Sequence, residues 1–395
     1  MPDPRFARRT AWEFDPDPLG SLAERLRVRG ELYDLTESNP TRCGFHYEDA
    51  RIRTALADAR NLLYAPDPRG QASARAAVQA YYQARRIDLD PGRIWLTAST
   101  SEAYSHLFRL LADAGERVHA PQPGYPLFEL LAGQNDLELA AYKLHYDGGA
   151  WELDWESLES AWTPQSRLVL LLNPNNPTGA YLRAGEWPRL QAWAAERGLA
   201  LVVDEVFFDY AFAPDPNRLC DCLQDATALT FVLSGLSKVA ALPQMKLGWI
   251  VLAGPAGAAA AAIQRLEMIL DIYLSVAAPV QNAATELLAT APAIQAQIRA
   301  RTLANLRELD AGLSASPEVT RFAVEGGWYA TLRLPRHHDD ETWARRLLEQ
   351  DSVYLHPGHF YGFSQEGCAV VSLLPREPDF REGIRRLLER VRQAS

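Results

Sequence analysis

RLVLLLNPNNPTG (167–179) joins the two signals that decide the fold. Positions 168–172 are all aliphatic, with no alternation of polar and apolar residues. A strand of that kind is covered on both faces, as central strands of parallel sheets are. The cluster NNPTG at 175–179 then ends the strand with turn residues. By itself such a cluster is only a loop. At the C-terminal end of a parallel strand it stands where open α/β sheets bind ligands, and Asn176 offers a hydrogen bond there.

The same pattern continues on both sides of this segment. Strands are expected at 93–98, 117–121, 137–144, 199–204, 229–235 and 247–253, with helices between them, among them 102–112 and 187–197. Strand and helix in turn predict an α/β fold: a large domain with a mostly parallel central sheet flanked by helices. Beyond 252 the pattern changes to a long helical region, 257–313, interrupted near Pro279 and Pro292. Two strand-like runs, 328–334 and 368–374, and helices at 340–350 and 381–393 then predict a smaller α+β domain. The expected division is 1–45 for an N-terminal arm and part of the small domain, 46–290 for the large domain, and 291–395 for the small C-terminal domain.

Bulk properties agree with two domains, since 395 residues exceed one ordinary core. A content of 48% hydrophobic and 23% charged residues is that of a soluble globular protein. The net charge of −10 and a pI near 5.4 exclude a generally basic surface for nucleic acid or anionic membrane, though not a local anion pocket. The first twenty residues lack the apolar core of a signal peptide, and no apolar run is long enough to span a bilayer. Cys43, Cys220, Cys222 and Cys368 contain no Cys-x-x-Cys, and two thiols at 220 and 222 do not fill a metal's coordination sphere. Free thiols in a cytoplasmic protein without a metal site are expected.

Three further motifs follow strand ends. In LTASTSEAY, Ser99 and Glu102 have capping-box spacing, so a helix should begin there. Its free backbone N–H groups, with the hydroxyls of Ser99, Thr100 and Ser101, suit a phosphate; a plain helix cap is the simpler alternative. In LVVDEVFFDY, Asp204 ends an apolar strand, where an unpaired carboxylate is costly and calls for a cationic or N–H partner. In SGLSKVAALPQMKLGWI, Lys238 follows a turn of small residues and Lys246 stands eight positions on. A phosphate cradle, an asparagine, a carboxylate and a lysine at the strand ends of one sheet match the needs of pyridoxal 5'-phosphate. The lysine forms a Schiff base. The carboxylate keeps the pyridine nitrogen protonated, so that the ring accepts electrons from the substrate.

NPNNPTG, VVDEV and SGLSK, in this order and spacing, resemble the class I/II aminotransferases, pyridoxal-phosphate enzymes of fold type I. The resemblance extends from about 33 to 391. It implies that Lys238 is the Schiff-base lysine and proton carrier, that Asp204 pairs with the pyridine nitrogen, and that Asn176 bonds the ring oxygen. It puts Tyr125 against the ring, and Ser99, Thr100, Ser101, Lys246 and, more weakly, Ser234 and Ser237 at the phosphate. Tyr64 matches a tyrosine that reaches the phosphate of the neighbouring subunit, which implies a homodimer with shared sites.

Three positions depart from the family's pattern. Lys246 replaces an arginine, giving a point charge without the bidentate fork. Phe207 replaces a tyrosine that donates to the ring oxygen; Tyr210 is a candidate substitute from a shifted position. Val370 replaces the arginine that clamps the substrate's α-carboxylate. Either Arg42 or Arg333 takes over that contact, or the substrate is an amine, an amino sugar or a modified amino acid. The implied activity is ping-pong transfer of an amino group from an amino acid or amine donor to a keto acid or carbonyl acceptor. Two alternatives stay open: a lyase, decarboxylase or oxidase with the same cofactor, and a non-catalytic sensor of this fold. The N-terminal thirty-odd residues are too short for the winged helix that such sensors carry.

Overall fold

A computed structural model describes residues 5–12, 18–274 and 276–394. Its main feature is an eight-stranded sheet in the order Ile94–Thr97, Gly248–Ala253, Thr230–Gly235, Ala200–Asp204, Ser166–Leu172, Arg117–Gln122, Glu138–Tyr146 and Trp151–Leu153. The pairings from Thr230–Gly235 through Glu138–Tyr146 are parallel. Those made by Gly248–Ala253 and Trp151–Leu153 are antiparallel. The seven expected strands are all present. Trp151–Leu153 was not foreseen, because three residues with a single buried position carry no periodic signal.

The uniformly apolar strands serve two cores at once. Val169, Leu171, Leu201, Val203 and Val232 pack on one face with Trp187, Leu190 and Leu287. Leu168, Leu170, Val202, Phe231 and Leu233 pack on the other with Leu107, Phe108 and Leu266. Each such side chain contributes about 1.5–3 kcal/mol on burial, so the sheet centre is the stable frame of the site. Its parallel register aligns the chemistry: Leu172 lies opposite Asp204, and Asp204 opposite Leu233. The turn after Leu172, the carboxylate of Asp204 and the helix Leu236–Val239 therefore emerge along one edge.

The helical region contains three helices, Ala256–Tyr273, Ala278–Ala289 and Ala291–Ser314. Pro279 and Pro292 both lie in the first turn of a helix, where a missing N–H does no harm. The last helix leaves the large core near Ala291 and reaches a second core through Leu306 and Leu309. That second core lies under a four-stranded antiparallel sheet in the order Thr320–Arg321, Tyr329–Arg333, Cys368–Ser372 and His356–Pro357. Helices Asp340–Asp351 and Glu377–Ala394 cover it. Tyr33–Asp34 pairs in parallel with Val353–Tyr354, while Arg9 makes an ion pair with Asp136, next to the large sheet. No helix among the described residues is long and apolar enough to cross a membrane.

Candidate active site

The anion corner begins at the helix Thr100–Leu111. Ser99 caps it, its hydroxyl accepting the N–H of Glu102 at 3.1 Å, and the Glu102 carboxylate accepts the N–H of Ala98 at 2.5 Å. Ser99 thus caps the helix, although Glu102 reaches back to Ala98 rather than to Ser99 itself, and among the described residues the first-turn N–H groups have no main-chain partners. Gly248 brings the neighbouring strand close: a Cβ there would lie 3.1–3.2 Å from Ser99, Thr97 and the nitrogen of Thr100. Lys246, two residues earlier, is exposed in a left-handed conformation at φ 50. Gly235 lies opposite Gly248, so Ser234 and the half-buried Ser237 border the same corner. The Ser234 hydroxyl is buried with no hydrogen-bond partner among the described residues.

Asp204 is held at the centre of the edge. It accepts the N–H of Val206 at 2.9 Å and the hydroxyl of Tyr104 at 2.8 Å. Burial raises its pKa to about 6, and those two hydrogen bonds limit the rise. Tyr104 was missed in the sequence. Its one signal is that it stands four residues after Thr100, on the helix face that looks towards the anion corner.

Lys238 stands on the helix Leu236–Val239. Its Nζ is 4.9 Å from the Trp328 ring and 5.5 Å from the Phe207 ring. Burial pulls its pKa down to about 8, against the attraction of Asp204. Trp328 has no local motif that marks it; only the packing of the small sheet against the large one brings it to the lysine. Phe207 is wedged edge-on against Trp328 and Tyr329, at 5.1 Å and 6.2 Å. Tyr210 donates its hydroxyl to the main-chain oxygen of Lys238 at 2.6 Å, so that phenol is engaged in fixing the lysine's backbone.

The NNPTG turn is tied to the loop carrying Tyr125. Asn175 donates to the main-chain oxygen of Pro123 at 3.3 Å and accepts from the hydroxyl of Thr178 at 3.0 Å. Asn176 Oδ1 is buried without a partner among the described residues. Tyr125 is half-buried, edge-on to Phe128 at 5.5 Å. Tyr64 stands apart on the surface, 80% exposed beside Leu62 and Leu63. Arg42 is exposed at the end of the short 3-10 helix Pro40–Arg42. Arg333 is half-buried, with its guanidinium stacked on Phe322 at 4.0 Å. Val370 is fully buried, in register with Thr331 on one side and His356 on the other.

These groups suit pyridoxal phosphate. A lysine amine drawn down to about 8, a buried carboxylate placed for a cationic nitrogen, and a buried serine hydroxyl at the anion corner with no partner among the described residues are what such a cofactor would engage.

The family described as aminotransferase class I and II matches residues 33–387. The chain belongs to that family: it is an aminotransferase, and it works with pyridoxal phosphate. It is similar to the glutamate-pyruvate aminotransferase AlaA of Escherichia coli K12, at 26% identity over 373 residues that cover 92% of this chain and 91% of that one. An alanine aminotransferase of Mycobacterium tuberculosis H37Rv is 27% identical over 392 residues, covering 94% and 88%. In fold the chain matches an alanine aminotransferase from Pyrococcus furiosus with a TM-score of 0.89, over 98% of this chain and 100% of that one at 20% identity. The architecture is the expected fold type I.

Proposed function

We propose that Lys238, Asp204 and Asn176 form the reacting centre of this aminotransferase, and that Ser99, Thr100, Ser101, Ser234, Ser237 and Lys246 hold the cofactor's phosphate. The carrying observation is the convergence of a depressed lysine and a buried carboxylate on one sheet edge. Bound pyridoxal phosphate supplies a protonated ring that takes up negative charge from the donor's α carbon. Asp204 acts as the counter-ion for the ring nitrogen, with Tyr104 and the Val206 N–H fixing its carboxylate. Asn176 donates from Nδ2 to the ring oxygen, and Tyr125 packs against the ring. Lys238 would hold the cofactor covalently through Nζ, and as a free amine its Nζ would take the proton from the donor's α carbon as a base and return it as an acid.

Transfer then runs in two halves, with the carbonyl product leaving before the acceptor enters. Donor and acceptor are small molecules, and the relatives named for glutamate, pyruvate and alanine make those the first pairs to try. Holoenzyme mixed with one donor at a time should lose its long-wavelength absorbance, form one equivalent of carbonyl product, and recover on addition of a keto acid. Release of carbon dioxide or ammonia without that recovery points to a decarboxylase or a lyase instead.

The lysine's poise has its own consequence. Burial sets it at about 8, so the fraction present as free amine grows with pH up to that value and levels above it. Uptake of pyridoxal phosphate by the apoenzyme should accelerate about tenfold per pH unit below 8 and then flatten. A rate constant that is flat from pH 6 to 9 contradicts the assignment.

The working unit in this reading is a homodimer in the cytoplasm. Leu62 and Tyr64 are 90% and 80% exposed, and Met268, Ile272 and Leu274 form further exposed apolar surface of a kind that marks interfaces. Tyr64 then reaches the neighbouring phosphate. The four free cysteines accord with a reducing compartment. Sedimentation equilibrium should give twice the chain mass of 44.0 kDa, and a fully active monomer rules the shared site out.

A further inference from the structure

Val370 lies on an inner strand of the small sheet. Ala369 and Val371 point into the core of the small sheet, as do Ala330 and Leu332 of the adjoining strand. Val370, Thr331 and Tyr329 therefore project from the opposite face. That face looks towards the lysine: Tyr329 is 6.2 Å from Phe207, and Phe207 is 5.5 Å from Lys238 Nζ. The register puts Thr331, Val370 and His356 abreast on three adjacent strands.

None of these three side chains is a cation. Thr331 is 2% exposed, and its hydroxyl has no hydrogen-bond partner among the described residues. His356 shares Nδ1 with the hydroxyl of Tyr361 at 3.1 Å. Burial lowers the pKa of His356 against the opposing pull of Asp34, which leaves the ring neutral at pH 7. Burial likewise raises that of Tyr361, so its phenol keeps its proton. Arg333 projects from the same face two residues beyond Thr331, opposite Cys368, but its guanidinium is turned onto Phe322, stacked at 4.0 Å. Arg42 is exposed to solvent.

A carboxylate set against Val370 would give up water and meet no counter-charge, which buried anions avoid. A hydroxyl or a carboxamide, by contrast, would complete the hydrogen bonding of Thr331. On the aminotransferase reading above, we propose that the wall of Thr331, Val370 and His356 receives a neutral hydrogen-bonding group, so that amino alcohols and amino-acid amides are preferred donors over free amino acids.

The probes are 2-amino-2-methylpropan-1-ol and 2-aminoisobutyrate. They differ in a hydroxymethyl group for a carboxylate, and neither carries a proton on the carbon bearing nitrogen, so neither can donate its amino group by α-proton transfer. Binding to the holoenzyme is read from the cofactor's absorbance. The alcohol should bind at least about tenfold more tightly than the amino acid. The near-isosteric Thr331→Val should erase that preference. Val370→Arg should shift the ratio towards the amino acid by about 10–100-fold. In the half-reaction, alaninol should outrun alanine. Tighter binding of 2-aminoisobutyrate to the native enzyme, or a ratio unchanged by Thr331→Val, overturns the inference and leaves the aminotransferase reading standing. If Val370→Arg does not fold, Thr331→Val carries the decision. Failure of every donor, neutral or charged, to aminate the cofactor overturns both.

Discussion

Lys238→Ala should lower amino transfer by at least about 10²–10⁴-fold, the range a positioned acid–base group supplies. Single-turnover formation of carbonyl product is the measurement, and activity within tenfold of the native enzyme removes Lys238 from the mechanism. The variant should still fold. Leu236 and Val239 do the packing of that short helix. The lysine itself works against folding at neutral pH. Its pKa falls from 10.5 in the open chain to about 8 when buried, so the unfolded chain binds the proton more tightly. Its contribution to stability therefore declines as pH falls from about 10.5 to 8. Alanine removes that penalty, although Asp204 loses a nearby cation in the same change. The urea midpoint of the apo-variant at pH 7 should accordingly be no lower than that of the native apoenzyme. Lost activity together with an undiminished midpoint separates chemistry from misfolding.

The largest effect on stability is expected at Arg85. Its Nη1 is 2.8 Å from a carboxylate oxygen of Glu205, and the two side chains are 11% and 2% exposed. The guanidinium also lies 3.7 Å from the centre of the Phe208 ring. Glu205 directly follows Asp204, so this ion pair braces the strand end that carries the site. Arg85→Ala leaves the Glu205 charge buried with, among the described residues, the amide of Asn173 and the thiol of Cys222 beside it, both at 3.4 Å. Breaking a buried pair from one side costs about 3–5 kcal/mol. A large drop in the denaturant midpoint is expected, and adding Glu205→Gln should recover most of it. A loss below about 1 kcal/mol means that water or another group screens Glu205.

The two variants also separate what could be read along the chain from what could not. Lys238 was legible because it follows a strand, a turn and a set of small residues, all of them local features. Arg85 was not: nothing around it in YYQARRID distinguishes it from its neighbour Arg86. The same contrast holds within the site. The cap at Ser99 is an interaction across three residues, and the sequence predicted both partners. The hydrogen bond from Tyr104 to Asp204 joins residues 100 positions apart, and no period or spacing links them. For the substrate wall, the sequence identified Val370 as a departure from the family. It offered Arg42 and Arg333 as replacements; Arg42 is exposed, and Arg333 shares the face of Thr331 but stacks on Phe322.

The sequence alone therefore determined seven of the eight strands of the large sheet and the helix cap, and it singled out the lysine, the carboxylate and the asparagine as candidates at the strand ends. These depend on backbone conformations and burial patterns that a few adjacent residues dictate through their own sterics and hydrogen bonding. Only the tertiary structure decided that Tyr104 holds Asp204, that Trp328 lies beside Lys238, that Arg85 neutralises Glu205, and that Thr331 and His356 flank Val370. Those pairs come from separate elements whose relative placement is fixed by the burial of two cores on one sheet and a third beneath another. Contact across such distances is a property of the packed whole.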